Sequence, residues 1–465
     1  MTDAAARLPA SFRDPSGFLF TVDGTLYRQV NERFADDFDA FISSGCYDAL
    51  VAEGLLVPHA EADLALAPAP GAHRVLEPER IPFVSYPYEW CVSQLRDAAR
   101  LTLAVQRIAL AHGLCLRDAS AYNVQFRGAR PVFIDTLSFE RLVPDRPWAA
   151  YGQFCRHFLA PLALMSTVDA RLGQLLRVHV DGIPLDLAAR LLPTATRMRP
   201  GLGLHLHQHA KAQQRHAGDR GAAAAAKARG FSKRALEGLV DSLDRTVAKL
   251  DWEPPDSAWT AYYDGDSYAQ AAFEHKQRLV ADLVERVAPA SVWDLGANTG
   301  VYSALAAERG AYTVAFEQDP ATVEHHYRAR RREASTRVLP LVTDLANPSP
   351  GLGWAGQERD ALADRGPADL VLALALVHHI ALGNNVPLPE VAAFLARLGR
   401  ALVIEFVPKG DPKVELLLAS REDIFDDYHA DGFEAAFAPW YEVEARAPIE
   451  GSARVLYLLR SRAAS

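Results

Sequence analysis

No lysine occurs before Lys211, although arginine is frequent over the same stretch. Any chemistry in that half that depends on a lysine is excluded. Cysteine is also scarce: Cys46, Cys91, Cys115 and Cys155 are scattered with no C-x-x-C pair, which argues against a disulfide framework and a zinc knuckle and suits a reducing compartment. Long apolar runs are missing as well. The longest, 368–382, is interrupted by Asp369, His378 and His379, and the N-terminus has no apolar leader-like region, so neither membrane insertion nor secretion is expected and the cytoplasm is the expected location. Positive charge is in deficit overall. A formal net charge of −9 gives no field to draw in a polyanion, which ranks nucleic acid low as a substrate.

What is present is a folded chain of two or three units: 465 residues exceed one ordinary core, and 49% hydrophobic with 23% charged residues is ordinary for a globular protein. The stretch 201–230 mixes glycine, histidine and an alanine run without amphipathic period and reads as a connector or mobile loop. The same composition accounts for His205, His207, His209 and His216, whose spacing matches no metal-ligand pattern, and no metal is expected. The next residues, 231–250, have helical period. From about residue 257, helices and strands alternate: helix 268–287, strand 291–295, helix 301–309, strand 312–317, helix 320–334, strand 337–343, strand 368–374, helix 389–398, strand 401–406, then a closing pair at 441–445 and 454–460. This order implies an α/β architecture, a mostly parallel doubly wound sheet with a terminal hairpin.

Within it, Asp294-Leu-Gly296-Ala-Asn298-Thr-Gly300 follows an apolar strand and precedes a helix. Glycines there let backbone approach a ligand, and Asp294 can hold a cationic amine. Glu317 lies about 20 residues on, where an acid accepts both hydroxyls of a ribose. The pair points to an adenosine ligand carrying an amine. A dinucleotide enzyme is disfavoured, because Asp294 at the strand end would repel a pyrophosphate.

The D-x-G-x-N-x-G run with an acid ending the next strand resembles class I S-adenosylmethionine-dependent methyltransferases over residues 257–465. The resemblance implies a Rossmann-like methyltransferase sheet and S-adenosylmethionine as cofactor. It implies that Asp294, Gly296, Asn298 and Gly300 wrap the methionine part and that Glu317 holds the ribose. It further implies that Asp344, Leu345 and Ala373 lie at the adenosine. His378 and His379 follow the fourth strand, where an imidazole could take a proton from an oxygen or nitrogen nucleophile. Acceptor contacts are expected from Trp354, Glu358, Arg359, Asn384 and Glu405, the first three on a long loop after the third strand. The acceptor expected is a small molecule or saccharide, with a protein acceptor left open.

The N-terminal half carries a second constellation. Leu116-Arg-Asp118, Asn123 and Ile134-Asp135 resemble the catalytic loop and metal-binding segment of protein kinases and aminoglycoside-type kinases over residues 15–165. That resemblance implies a base at Asp118 and magnesium ligands at Asn123 and Asp135. The glycine-rich loop is absent, with only Gly17 and Gly24 upstream, and no lysine neutralises phosphate unless an arginine such as Arg28 substitutes. The expectation is an α+β kinase-like module without kinase activity (1–165), a helical connector (166–256) and the methyltransferase domain (257–465). A scaffold with a vestigial cofactor pocket and an active ATP-dependent kinase are the competing readings. The whole-chain pattern also resembles, more loosely, nodulation-associated methyltransferase-type proteins.

Overall fold

The computed structural model describes residues 6–216, 231–255, 270–419 and 422–462. It divides into two compact units: Met1–Phe126, Pro131–Glu253 and Gly351–Arg359 form the first; Arg127–Arg130, Pro254–Pro350 and Asp360–Ser465 form the second. No helix among the described residues is long and apolar enough to cross a membrane.

The first unit is an α+β module. Strands β1 (Ala6–Arg7), β2 (Gly17–Val22), β3 (Thr25–Asn31), β4 (His59–Ala62) and β5 (Ala72–Pro78) make an antiparallel sheet in the order β1-β2-β3-β5-β4. Short strands β6 (Leu114–Leu116), β7 (Val124–Arg127), β8 (Arg130–Phe133) and β9 (Phe139–Arg141) bracket the turn that carries Asp118 and Asn123. The helix Val92–Ala111 is largely buried, polar Ser93, Gln94, Asp97, Thr102 and Gln106 included. Its one basic stripe, Arg96, Arg100 and Arg107, meets Asp251, Asp244 and Asp241, so the helix Lys233–Ala248 packs against it with matched charge.

Residues 201–216, part of the stretch expected as a connector or mobile loop, are helical. The histidines explain why. His205 bridges Tyr151 Oη (3.0 Å) and Ser242 Oγ (2.8 Å), and His207 meets Thr196 Oγ1 at 2.8 Å, so polar groups that look loop-like in sequence are satisfied inside. Residues 217–230 and the side chain of His216 lie outside the described residues.

In the second unit, β10 (Ser291–Leu295), β11 (Tyr312–Glu317), β12 (Val338–Val342), β13 (Ala368–Ala373), β14 (Gly399–Phe406), β15 (Tyr441–Pro448) and β16 (Val455–Ser461) form one sheet in the order β12-β11-β10-β13-β14-β16-β15. Five strands are parallel and β16 runs antiparallel to β14. This is the expected doubly wound α/β sheet with a closing hairpin. Val292, Leu370, Leu372, Val403 and Leu458 are buried in its core, each worth roughly 1.5–3 kcal/mol of transfer free energy. Because β10 is flanked by β11 on one side and β13 on the other, the winding reverses there, and a crevice opens beyond the strand ends.

Candidate active site

Asp294, next to last in β10, is 2% exposed and accepts a hydrogen bond from Ser303 Oγ at 2.6 Å. Burial pushes its carboxyl up to about 6, against the pull of Ser303 and the Lys276 charge. The turn after it needs left-handed backbone at Gly296 (φ 71°), Asn298 (φ 50°) and Gly300 (φ 84°). Gly300 is required twice over, since a Cβ there would lie 2.0 Å from the His326 ring. The glycine thus makes room for protein packing, where the sequence suggested only ligand approach.

Glu317 closes the turn from the next strand. Its Oε2 accepts from the Asn298 N–H at 3.0 Å, and its Oε1 accepts from the Gln318 and Asp319 N–H groups at 2.7 and 3.0 Å. Burial raises its carboxyl, against those backbone donors. The charge on Glu317 in turn disfavours ionisation of Asp294, so the two acids stand within electrostatic reach. Among the described residues neither is ion-paired with a protein cation.

Leu295, which follows Asp294 in the chain, lines a cavity of about 180 Å³ together with Leu345, Pro348, Ile380, Val386 and Phe394, with Glu390 as its charged group. An apolar cavity of ~150 Å³ holds a benzene ring, so this one has room for a flat heterocycle. Asp344 accepts from the Ala346 N–H at 2.9 Å, which shapes the turn that puts Leu345 in the wall. Ala373 is buried at the end of β13.

His378 is fully buried, and neither ring nitrogen has a hydrogen-bond partner among the described residues. Burial holds it well below the ordinary imidazole value; His379, with its ring 4.1 Å away, is lowered by burial and by the Lys413 and Arg454 charges. Both rings are therefore neutral near pH 7. Asn384 is exposed, and its N–H closes the helical turn His379–Gly383 by donating to the His379 carbonyl at 3.1 Å.

Glu405, expected at the acceptor, is instead fully buried among protein cations. Lys276 Nζ lies 2.6 Å from its Oε2, and Arg454 Nη1 is 3.3 Å from its Oε1. Arg454 also grips Asp411 through Nε (2.7 Å) and Nη2 (3.0 Å). Sequence reasoning missed Lys276, Asp411 and Arg454. For Lys276 a signal existed: it shares the apolar stripe of Ala272, Val280 and Val284 on the helix Gln270–Val287.

The loop residues Trp354, Glu358 and Arg359 belong to the first unit. Trp354 is 71% exposed. Glu358 is paired with Arg13 at 2.7 Å and accepts from the Trp354 N–H at 2.8 Å, while the Arg359 guanidinium lies 3.9 Å from the centre of the Tyr122 ring. These charges are used by the protein. In the same unit, Asp118 accepts from the Ser120 N–H at 2.8 Å, and Asn123 Nδ2 donates to Ser138 Oγ at 3.1 Å. Asp135 is ion-paired with Arg28 and accepts from Ser138 Oγ.

No protein-family model matches the chain. It is 36% identical over 456 residues to the nodulation protein NoeA of Rhizobium meliloti (strain 1021), covering 97% of this chain and 95% of that protein. Among solved structures it is similar to the bifunctional kinase-methyltransferase WbdD (17% identity, 43% of this chain, 42% of that chain, TM-score 0.31). It is also similar to the N-methyltransferase NodS from Bradyrhizobium japonicum WM9 (10% identity, 41% of this chain, 97% of that chain, TM-score 0.32). The chain spans less than half the length of the WbdD chain.

Proposed function

From a chain that belongs to the family of the nodulation protein NoeA, we propose a methyltransferase that uses S-adenosylmethionine and acts on an oxygen or nitrogen of a small molecule or saccharide. The observation that carries this reading is the pair Asp294 and Glu317: a buried and a half-buried acid at adjacent strand ends, with no protein cation in contact among the described residues. A buried carboxylate left without a counter-ion is costly, and the cost is recovered when a ligand brings the cation. S-adenosylmethionine, when bound, supplies an electrophilic methyl group. Asp294 would hold its ammonium, Glu317 its ribose hydroxyls, and the apolar cavity beside Leu345 its adenine.

The chain's own contribution is to bind, orient and accept a proton. His378, neutral and with both ring nitrogens unpaired among the described residues, has the free lone pair that a base needs. The ion-paired Lys276, Glu405, Arg454 and Asp411 stiffen the strand ends near it. The net charge of −9 favours a neutral or cationic acceptor over a polyanion. Incubating the protein with methyl-labelled cofactor and fractionated cell extract tests the proposal. Label is expected in a low-mass fraction, lost with Asp294→Asn and reduced at least tenfold with His378→Asn. Label in no fraction, with cofactor shown to bind, would leave a scaffold as the better account.

A further inference from the structure

The kinase-like unit contains an acid cluster that methyl transfer does not use. The resemblance of its turn to kinase catalytic loops implies a magnesium ion held by Asn123 and Asp135, with Asp118 beside them. The donor set present here does not fit that ion. Both oxygens of Asp135 are committed: Oδ1 to the Arg28 guanidinium and, at 3.3 Å, to the Leu137 N–H, and Oδ2 to the Ser138 hydroxyl. Asn123 turns its amide nitrogen to the same hydroxyl. Among the described residues, no three His, Cys, Asp or Glu side chains converge as metal ligands.

We infer that Arg28 is the resident cation of this cluster, so that the first unit takes no divalent metal ion and does not transfer phosphoryl groups. Arg28 stands on β3 opposite Leu19 of β2 and Leu76 of β5, which fixes its backbone in mid-sheet. Its side chain is only 15% exposed and that of Asp135 16%, so the pair is shielded from the screening that weakens surface ion pairs. A dication at Asp135 would have to displace the guanidinium or sit against it, and like charge opposes both. Arg28 therefore does not replace the missing phosphate-binding lysine; it neutralises the acid that the metal would have needed. Phosphoryl transfer depends on metal ions to gather the developing charge, and no lysine before Lys211 is there to share that task.

The test is a manganese titration of the full chain, read by the paramagnetic resonance of free Mn²⁺. The unsubstituted protein is expected to bind no Mn²⁺ that Asp135→Asn removes, and to turn over no ATP with magnesium. Arg28→Ala should gain one site at least tenfold tighter than any weak binding of the parent, and Arg28→Ala combined with Asp135→Asn should lose it. Arg28→Gln, closer in volume, serves if the alanine variant does not fold. Stoichiometric Mn²⁺ on the parent chain that vanishes with Asp135→Asn overturns the inference, as does a folded Arg28 variant that gains no site.

Discussion

Two carboxylates at strand ends, one in each unit, meet opposite fates. Asp135 in the first unit lies against Arg28; burial alone would raise its carboxyl, but the guanidinium and the Ser138 hydroxyl hold it below the ordinary range. Asp294 in the second unit is more deeply buried and is hydrogen-bonded by Ser303 with no cation in contact among the described residues, and burial pushes it up to about 6 against Ser303 and the more distant Lys276 charge. The difference separates an acid whose charge the fold already answers from one whose charge awaits a ligand. Sequence motif alone treats the two alike.

The contrast depends on Lys276 being held by Glu405 and not by Asp294. Lys276→Met removes one partner of a fully buried pair and should destabilise the second unit by about 3–5 kcal/mol, measured by urea unfolding. It should also raise the Asp294 carboxyl further, since the Lys276 charge lowers it. A stability change within experimental error would show that the pair contributes nothing. Next in size is Gly300→Ala. The left-handed backbone costs about 1–2 kcal/mol and the overlap with His326 about 1–3 more, so thermal unfolding should move down by several degrees. A variant as stable as the parent would mean that the turn can rearrange.

Asp294→Asn should weaken S-adenosylhomocysteine by about 2–4 kcal/mol, roughly 30- to 700-fold, whereas Asp135→Asn should leave that affinity unchanged. Equal losses from both would erase the contrast. The smallest expected effect is on pH, and the two acids carry opposite signs. Asp135 is lowered in the fold, so its stabilisation is present above an unfolded value of about 4 and is lost as pH falls through its folded value. Asp294 is raised, so its contribution is fullest at low pH and is lost as pH rises from about 4 to about 6. Binding of an ammonium ligand needs the ionised form. Affinity should level off above pH 6 and fall about tenfold per unit below it. A flat binding profile between pH 5 and 7 would remove Asp294 from the ligand's ammonium.

The second unit was legible because its signals are local. Strands Ser291–Leu295 and Tyr312–Glu317 run where their apolar residues predict, and the turn between them contains its own glycines. The expected helix start at Tyr268 lies outside the described residues. Helices Pro412–Leu418 and Ala430–Phe437 escaped notice, being under three turns each. What stayed hidden depends on partners far apart in the chain. Arg28 meets Asp135 across 107 residues, Arg13 meets Glu358 across 345, and Arg454 meets Glu405 across 49. Periodicity carries no trace of such pairs. The helical segment at 201–216 was hidden for the same reason, because Tyr151, Thr196 and Ser242 are what satisfy its buried His205 and His207.

One titration bears on the account most directly: S-adenosylhomocysteine into the unsubstituted full chain, followed by calorimetry at pH 7.5. Saturable heat with one ligand per chain is the predicted result. An absence of heat at millimolar ligand, from protein shown to be folded, would contradict the assignment of Asp294 and Glu317 to a cofactor.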